Sequence, residues 1–232
     1  DMETASLMTF GYDPKIFRYS PFHGAICSVV ESVSKIVAMG AEYRKTRLTL
    51  QEYFEKLGTD PVRWGKPFAA LLGAYNASME LEIAAIGGKD SMSGSFMSLD
   101  VPPTLVSFAV STADTRLIFT SGFTKAGSSV YPLETPFDDN NIVDFAKLKS
   151  NFDLVHKLIS GKKVRSVRAI TGGGIIEAVI KMSFGNRIGF TFEDKGTNDI
   201  CKAMYGSFIL EAQDLDGTGI IKIGNTTQEA KI

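Results

Sequence analysis

One polar, glycine-rich segment, residues 87–94 (GGKDSMSG), follows an apolar stretch that predicts a strand. Its candidate nucleotide- or substrate-binding residues are Gly87, Gly88, Lys89, Asp90 and Ser91. Glycines let a backbone approach a bound anion, and a turn of amides can form an anion-binding nest. Lysine suits phosphate, and aspartate suits Mg²⁺. The segment lacks the spacing of a Walker A motif. It predicts a nucleotide or phosphoribosyl site, with a surface β-turn carrying a Lys–Asp pair as an equally favoured alternative.

Three other polar features favour structural roles. The triple glycine at residues 172–174 could present amides to phosphate, but such turns more often serve a tight strand-to-helix connection. His23, in the first turn of a predicted helix, favours capping or packing over a role in a cleft. A basic run is interpreted as the solvated edge of a strand: Lys162, Lys163, Arg165 and Arg168.

Glutamine hydrolysis is not expected of this chain, because it needs an activated cysteine with a histidine partner. Cys27 and Cys201 both lie in predicted helices, and neither sits in a nucleophile elbow. The histidines are His23 and His156. No catalytic residue is therefore assigned.

The composition is that of a globular protein: of 232 residues, 44% are hydrophobic and 22% are charged. The formal net charge of −1 predicts no attraction to nucleic acid or to membrane. No apolar run approaches the roughly 18–20 residues that span a bilayer. Two well-separated cysteines predict a reducing, cytoplasmic location. Because the chain begins at Asp1 without an initiator methionine, we expect it to be a piece of a longer protein.

Start and stop signals predict three helices in the first half. Ser20 and Gly40 bound the first, residues 49–52 form a capping box for a second that ends at Gly58, and Pro67 opens the third. The predicted buried stripe of the third helix is Phe68, Leu71, Leu72, Tyr75 and Met79. Its small residues are expected to let a neighbour approach closely: Ala69, Ala70, Gly73, Ala74 and Ala77.

Strands and further helices alternate along the rest of the chain. The predicted strands cover 82–86, 105–110, 129–133, 164–170, 188–192, 208–212 and 220–223, and the further helices cover 145–159 and 175–184. Because the pattern restarts after about residue 113, we predict two domains, 1–113 and 114–232. The fold class is α/β or α+β.

Four ordered segments resemble a known family. They are residues 20–25 (SPFHGA), 64–74 (WGKPFAALLGA), 86–94 (IGGKDSMSG) and 101–110 (VPPTLVSFAV). Together they resemble the second half of the large, single-chain phosphoribosylformylglycinamidine synthases. The resemblance is strong over residues 1–112 and weaker but collinear over 113–232.

This resemblance implies an aminoimidazole-ribonucleotide-synthase-like unit. Its N-terminal sheet domain would pair with a second copy into a β-barrel, and a C-terminal α/β sandwich domain would pack against it. The implied activity is that of a carbon–nitrogen ligase of purine biosynthesis, the ATP- and glutamine-dependent amination of formylglycinamide ribonucleotide. The implied cofactors are ATP or ADP with Mg²⁺. The implied partners are a first synthase-like unit and a glutaminase domain, without which this chain is expected to be inactive.

The resemblance also assigns individual residues. Gly88, Lys89 and Ser91 fall where family members hold nucleotide, metal or the phosphoribosyl group. Asp1 and Glu31 match carboxylates that bind the Mg²⁺ of an auxiliary nucleotide.

Two departures weaken that metal site. Lys35 stands where relatives have a metal-binding asparagine, and Ala169 stands where they have a metal-binding aspartate. Lys35 is therefore expected to replace the metal and to contact phosphate directly.

Two alternatives stay open. The chain could be a purely structural module of the same enzyme with a decayed nucleotide site. It could instead be another ATP-dependent member of the superfamily, such as aminoimidazole ribonucleotide synthase. An exposed sheet edge would favour a homodimer of the isolated chain.

Overall fold

The computed structural model describes residues 3–193, 199–215 and 218–232. Its helices are α1 (Pro14–Tyr19), α2 (Pro21–Ala38), α3 (Pro61–Leu81), α4 (Phe145–Ser160) and α5 (Gly174–Phe184). Its strands are β1 (Thr4–Gly11), β2 (Arg47–Tyr53), β3 (Ala85–Lys89), β4 (Ser95–Phe96), β5 (Leu99–Asp100), β6 (Thr104–Asp114), β7 (Ser129–Leu133), β8 (Val164–Ala169), β9 (Gly189–Phe192), β10 (Phe208–Ala212) and β11 (Gly224–Thr227). The predicted mixed α/β class is confirmed.

The first main sheet has the strand order β1-β6-β2-β3. β6 pairs antiparallel with β1 and β2, whereas β3 pairs parallel with β2. Alternate residues of β6 point inward, where Leu105 and Ala109 are buried under α2. The sheet does not close on itself within the described residues, and β1 and β3 form its two edges.

The second main sheet is antiparallel throughout, with the order β8-β10-β7-β11-β9. Every residue of its strand β10 is buried. α4 begins where the Asp144 side chain accepts a hydrogen bond from the Lys147 amide (2.9 Å) and ends at Gly161. These end signals explain why α4 lies where the sequence predicts it, and β7 also coincides with its predicted range.

Helix α2 connects the two sheets. Ser20 caps its start, as predicted, and its residues from Gly24 onward are almost all buried. It contacts β1 and β6 on one side and β8 and α4 on the other, so one apolar cluster extends through both halves, and a second cluster lies around α5. The first sheet uses residues up to Asp114 and the second begins at Ser129, and the boundary at 113 stays a prediction. Within the described residues, no helix is long and apolar enough to cross a membrane.

The helix predicted from the capping box at residues 49–52 is wrong. This stretch is strand β2, in which buried Leu48 alternates with exposed Thr49. Backbone pairing to β6 on one side and to β3 on the other satisfies the segment more fully than one capped helical turn could.

The boundaries and the buried face predicted for α3 are also wrong. The helix begins at Pro61 behind an Asp60 cap, and Pro67 lies inside it. Its small residues face inward and its large apolar residues face outward. A Cβ at Gly73 would lie 2.1 Å from the backbone oxygen of Phe22, so only the small face lets α3 pack this close to α2.

Three smaller predictions fail for local reasons. The strand before the polar segment starts at Ala85, because Glu82 ends α3 in a left-handed conformation (φ 57°). The last strand is Gly224–Thr227, after residues 220–223. Cys201 lies in an exposed turn outside any helix.

Candidate functional site

The polar glycine-rich segment lies at an open edge of the first sheet. We call residues 87–91 the edge segment. Its first three residues belong to strand β3, where the sequence had predicted a turn. All of β3 is exposed, and only its side toward β2 is paired within the described residues. The edge segment is therefore presented outward.

Two glycines of this region are required by close backbone contacts. A Cβ at Gly88 would lie 2.7 Å from the Leu50 backbone oxygen, and one at Gly94 would lie 2.9 Å from that of Phe54. The Ser91 amide donates to the Glu52 backbone oxygen (3.2 Å), and the Phe54 amide donates to that of Ser91 (2.9 Å). These contacts bind the turn after β3 to the end of β2.

The edge segment carries a lysine with an unpaired side chain, and one of its carboxyls, Asp90, interacts with Glu52 on β2. Within the described residues, Lys89 is exposed and its ammonium group has no hydrogen bond or ion pair. Burial, and then the charge of Asp90, raise the pKa of Glu52 to about 7. Glu52 is thus a titratable carboxyl at this edge that sequence reasoning missed. It lies far from residues 87–91 in the chain, and only the parallel pairing of β2 with β3 brings it there.

The predicted metal position at Glu31 holds an ammonium group. Lys35 Nζ lies 2.6 Å from Glu31 Oε1 and donates to the Phe10 backbone oxygen at 2.8 Å. The other carboxylate oxygen of Glu31 accepts from the Tyr12 amide (3.2 Å). Burial raises the pKa of Glu31 above its ordinary value, although Lys35 and Tyr12 oppose the shift.

The cation beside Glu31 in this structure is the Lys35 ammonium group, and Mg²⁺ binding by Asp1 and Glu31 stays a prediction. Both oxygens of Glu31 already accept hydrogen bonds, and the second expected ligand, Asp1, lies outside the described residues. The described part of the chain contains no group of three or more His, Cys, Asp or Glu side chains placed to hold a metal. Ala169 is buried in β8 opposite Phe208 and offers no ligand atom.

The triple-glycine turn at residues 172–174 is capped by the side chain of Glu177 in the helix that follows it. Glu177 Oε2 accepts from the Gly173 amide (3.0 Å) and from the Thr171 hydroxyl (2.8 Å), and Lys181 pairs with the other oxygen. Burial raises the pKa of Glu177, but hydrogen bonds from Lys181, Thr171 and Gly173 outweigh it and hold the pKa below its ordinary value. This carboxylate occupies the place where a phosphate would meet the helix start, which favours the structural interpretation.

A cleft of about 1310 Å³ lies between the start of α2 and the second half of the chain. Its polar lining includes His23, Lys147 and Lys202. His23 Nε2 donates to the Asn140 backbone oxygen (2.9 Å), so its Nδ1 accepts from the Ser20 hydroxyl (2.7 Å). Both ring nitrogens are engaged, in keeping with the capping role predicted for His23.

One wall of this cleft is a buried junction of Tyr205 and Cys27. The Tyr205 hydroxyl donates to Asp13 Oδ2 at 2.5 Å. Burial, followed by the charges of Asp13 and Glu31, raises the pKa of the Cys27 thiol to about 12. Cys27 is therefore a neutral packing residue and not a nucleophile.

The structure brings the predicted residues together only in part. Gly87, Gly88, Lys89, Asp90 and Ser91 form one surface. Glu31 and Lys35 form a separate pair on α2, and none of these residues is among those lining the cleft. The sequence thus contains an edge segment, an ammonium–carboxylate pair and a cleft at three separate positions.

The fold places the chain in a structural class that includes PurL and the hydrogenase maturation protein HypE. A solved PurLQS structure from Thermotoga maritima superposes with a TM-score of 0.80 at 12% sequence identity, over 99% of this chain and 42% of that one. A solved HypE–HypF complex superposes with a TM-score of 0.66 at 14% identity, over 98% of this chain and 85% of that one. Further T. maritima PurL structures are complexes with ATP, ADP and FGAR, the formylglycinamide ribonucleotide.

In sequence, the chain is similar to phosphoribosylformylglycinamidine synthase subunit PurL of Thermoplasma volcanium. The two are 23% identical over an alignment 211 residues long, and the alignment covers 81% of this chain and 26% of that protein. The chain thus spans about a quarter of the length of this curated relative. A search against family models found no match.

Proposed function

We propose that this chain is a synthase-like unit of a phosphoribosylformylglycinamidine synthase. It would contribute to the ATP- and glutamine-dependent amination of formylglycinamide ribonucleotide. The similarity to PurL over 81% of the chain carries this proposal. The exposed edge segment and the fold shared with nucleotide-bound PurL structures support it.

In this proposal, Lys89 and the amides around Gly88 bind a phosphate of the nucleotide or of the ribonucleotide substrate. A mobile ammonium group without a competing carboxylate partner suits a phosphate oxygen. Ser91 would add a hydroxyl, and Asp90 would orient Lys89 or a metal carried by the nucleotide. Mg²⁺ would then arrive with its nucleotide, because Lys35 already pairs with Glu31.

The open sheet supports the proposed pairing with another synthase-like unit. Its outer face carries the exposed apolar side chains Met8, Phe10 and Val110. Covering them with the equivalent sheet of a first unit would bury apolar surface and complete a barrel. Ammonia would come from a separate glutaminase domain.

A ligand-dependent thermal melt tests the proposal. Free ligand at about 100 times its dissociation constant stabilises a protein by roughly 2.7 kcal/mol. We expect the midpoint to rise with formylglycinamide ribonucleotide or with ATP, and Lys89→Ala to abolish the rise. The matched control is Lys45→Ala, which removes another exposed lysine. No rise with either ligand for the wild-type chain would overturn binding by this unit alone.

The second candidate function is a structural module of the same enzyme. Two observations favour it: Lys35 pairs with the predicted metal ligand Glu31, and Glu177 accepts the Gly173 amide that could otherwise have met a phosphate. A module of this kind would bind the other synthase-like unit and show no thermal response to nucleotide, with or without Mg²⁺. A Mg²⁺-independent response would instead implicate Lys35 or Lys89 in the role of the metal.

A further inference from the structure

Helix α3 exposes a continuous stripe of large apolar side chains. We call it the α3 stripe, and its members are Trp64, Phe68, Leu71, Leu72, Tyr75 and Met79. Each of them is between 43% and 62% exposed. On a helix with 3.6 residues per turn, these positions share one face about 100° wide.

The opposite face of α3 is already buried. Ala70, Gly73, Ala74, Ala77 and Leu81 pack toward α2 and the core. A helix with apolar residues on two opposite faces is usually covered by other structure on both of those faces. Contiguous exposed apolar surface on this scale marks an interaction site.

The stripe is symmetric about its own midpoint between Leu71 and Leu72. The residue numbers pair around that point as Trp64 with Met79, Phe68 with Tyr75, and Leu71 with Leu72. In an antiparallel twofold dimer residue i of one copy contacts residue j of the other and j contacts i, so a stripe with this symmetry is covered along its whole length. Running antiparallel, two stripes would place a bulky ring opposite a slender side chain at each end.

We propose that the α3 stripe pairs with the α3 stripe of a second copy of this chain, antiparallel and around a twofold axis near Leu71 and Leu72. The stripe itself contains no charged residue, so pairing buries no like charges. Antiparallel helices also place opposite ends of their dipoles side by side. This interface goes beyond the proposed function and uses a face different from the open sheet.

The size of the contact sets its strength. α3 has 21 residues, a length of about 31 Å. A contact between two single helices lies at the small end of specific interfaces. We therefore expect a dimer that dissociates over the micromolar range of chain concentration.

Light scattering and sedimentation of the full 232-residue chain test the pairing. The wild-type chain should shift from monomer to dimer as its concentration rises. The double variant Phe68→Asp/Leu72→Asp should stay monomeric and keep the wild-type circular dichroism and melting point, because both side chains face outward. The matched control is Met8→Asp on the open sheet, which should still dimerise.

Cysteine cross-linking tests the orientation in a Cys201→Ser background. Leu71→Cys should form a disulfide dimer under mild oxidation, whereas Tyr19→Cys, exposed elsewhere, should not. Trp64→Cys should link to Met79→Cys in a mixture but not to itself, because the two Trp64 positions would lie roughly 22 Å apart along the helices. Three outcomes would each overturn the proposal. The wild-type chain could stay monomeric, Met8→Asp could abolish the dimer while the stripe variant keeps it, or Trp64→Cys could form a disulfide with itself.

Discussion

Tyr205 and Asp13 are 192 positions apart in the chain, yet the tyrosine hydroxyl donates a 2.5 Å hydrogen bond to Asp13 Oδ2. The other oxygen of Asp13 caps α1 by accepting from the Lys15 amide (2.8 Å). Gly172 lies against the same pair, since a Cβ there would come within 2.8 Å of Asp13 Oδ2. One carboxylate therefore ties the start of α1 to the triple-glycine turn. Burial, followed by the bond to Asp13, raises the pKa of Tyr205, which keeps the phenol protonated as the donor.

Tyr205→Phe should lower the free energy of unfolding by roughly 1.5–3 kcal/mol, the usual contribution of a hydrogen bond to a charged group. The ring is kept, so the loss reports the hydroxyl alone. Urea unfolding followed by circular dichroism measures it. Tyr19→Phe, which alters a phenol that is 92% exposed, is the control and should leave stability unchanged. Equal stability of the two variants would show that the hydrogen bond from Tyr205 to Asp13 does not stabilise the fold.

Lys35→Met should destabilise the chain by about 1–3 kcal/mol at neutral pH, because it leaves the buried Glu31 carboxylate without its cation. The folded-state pKa of Glu31 already lies above its reference value of 4.5. The folded state therefore binds this proton more tightly than the unfolded state, and stability falls as pH rises through the raised pKa. Without Lys35 that pKa rises further, so the variant should lose more stability between pH 5 and 8 than the wild type.

Urea unfolding at pH 5 and at pH 8 measures how much stability Lys35→Met and the wild type each lose between the two pH values. Lys45→Met removes a lysine that pairs with Glu42 on the surface, and it is expected to change stability by less than about 1 kcal/mol. A pH dependence of Lys35→Met that matches that of Lys45→Met would show that Lys35 does not hold Glu31.

Two glycines of α3 should respond in opposite directions to alanine. Gly65→Ala adds a methyl group with nothing within 4 Å and should stabilise the helix by up to about 1 kcal/mol. Gly73→Ala brings its Cβ 2.1 Å from the Phe22 backbone oxygen, so it should destabilise by about 1–3 kcal/mol despite the same gain in helix propensity. Thermal melts of both variants measure the contrast. Stabilisation by both would mean that α2 and α3 do not pack this closely.

Local patterns predicted the second half of the chain well. Strand β7 coincides with its predicted range, and α4 ends within one residue of it. α4 has clear end signals, the Asp144 cap at its start and Gly161 at its end. β10 was also found from its alternation, although burial on both faces removes any polar side.

The face of α3 could not be predicted by ranking hydrophobicity. That ranking directs the largest side chains inward, but a close helix–helix contact selects the smallest. The distance between α3 and α2 decides which face of α3 is buried, and a distance between two helices is not a local property of the sequence. The hydrogen bond between Tyr205 and Asp13 could not be predicted for the same reason, because it joins residues far apart in the sequence. A lone glutamate within an apolar strand was the available signal for Glu211, which is fully buried and accepts from the amides of Thr124 and Lys125.

The last prediction concerns Glu52 beside the edge segment, whose pKa is raised from 4.5 to about 7 by burial and then by Asp90. The folded state holds this proton more tightly than the unfolded state, so Glu52 lowers stability as pH rises from about 4.5 through 7. Asp90→Asn removes the neighbouring charge but not the burial. It should therefore move the pKa of Glu52 part of the way back and make stability fall less between pH 5 and 8. Glu52→Gln should remove this contribution altogether.

Carbon-detected NMR of the Glu52 carboxyl gives the pKa, and urea unfolding at the two pH values gives the stability. Glu80→Gln, at an exposed position on α3, is the control and should leave the pH dependence as in the wild type. If Asp90→Asn leaves the pKa of Glu52 unchanged, the two carboxyls do not interact. A shift of the expected sign would mean that Asp90 and Glu52 interact, so that protonation of Glu52 reduces the negative charge at this edge of the sheet as the pH falls through 7.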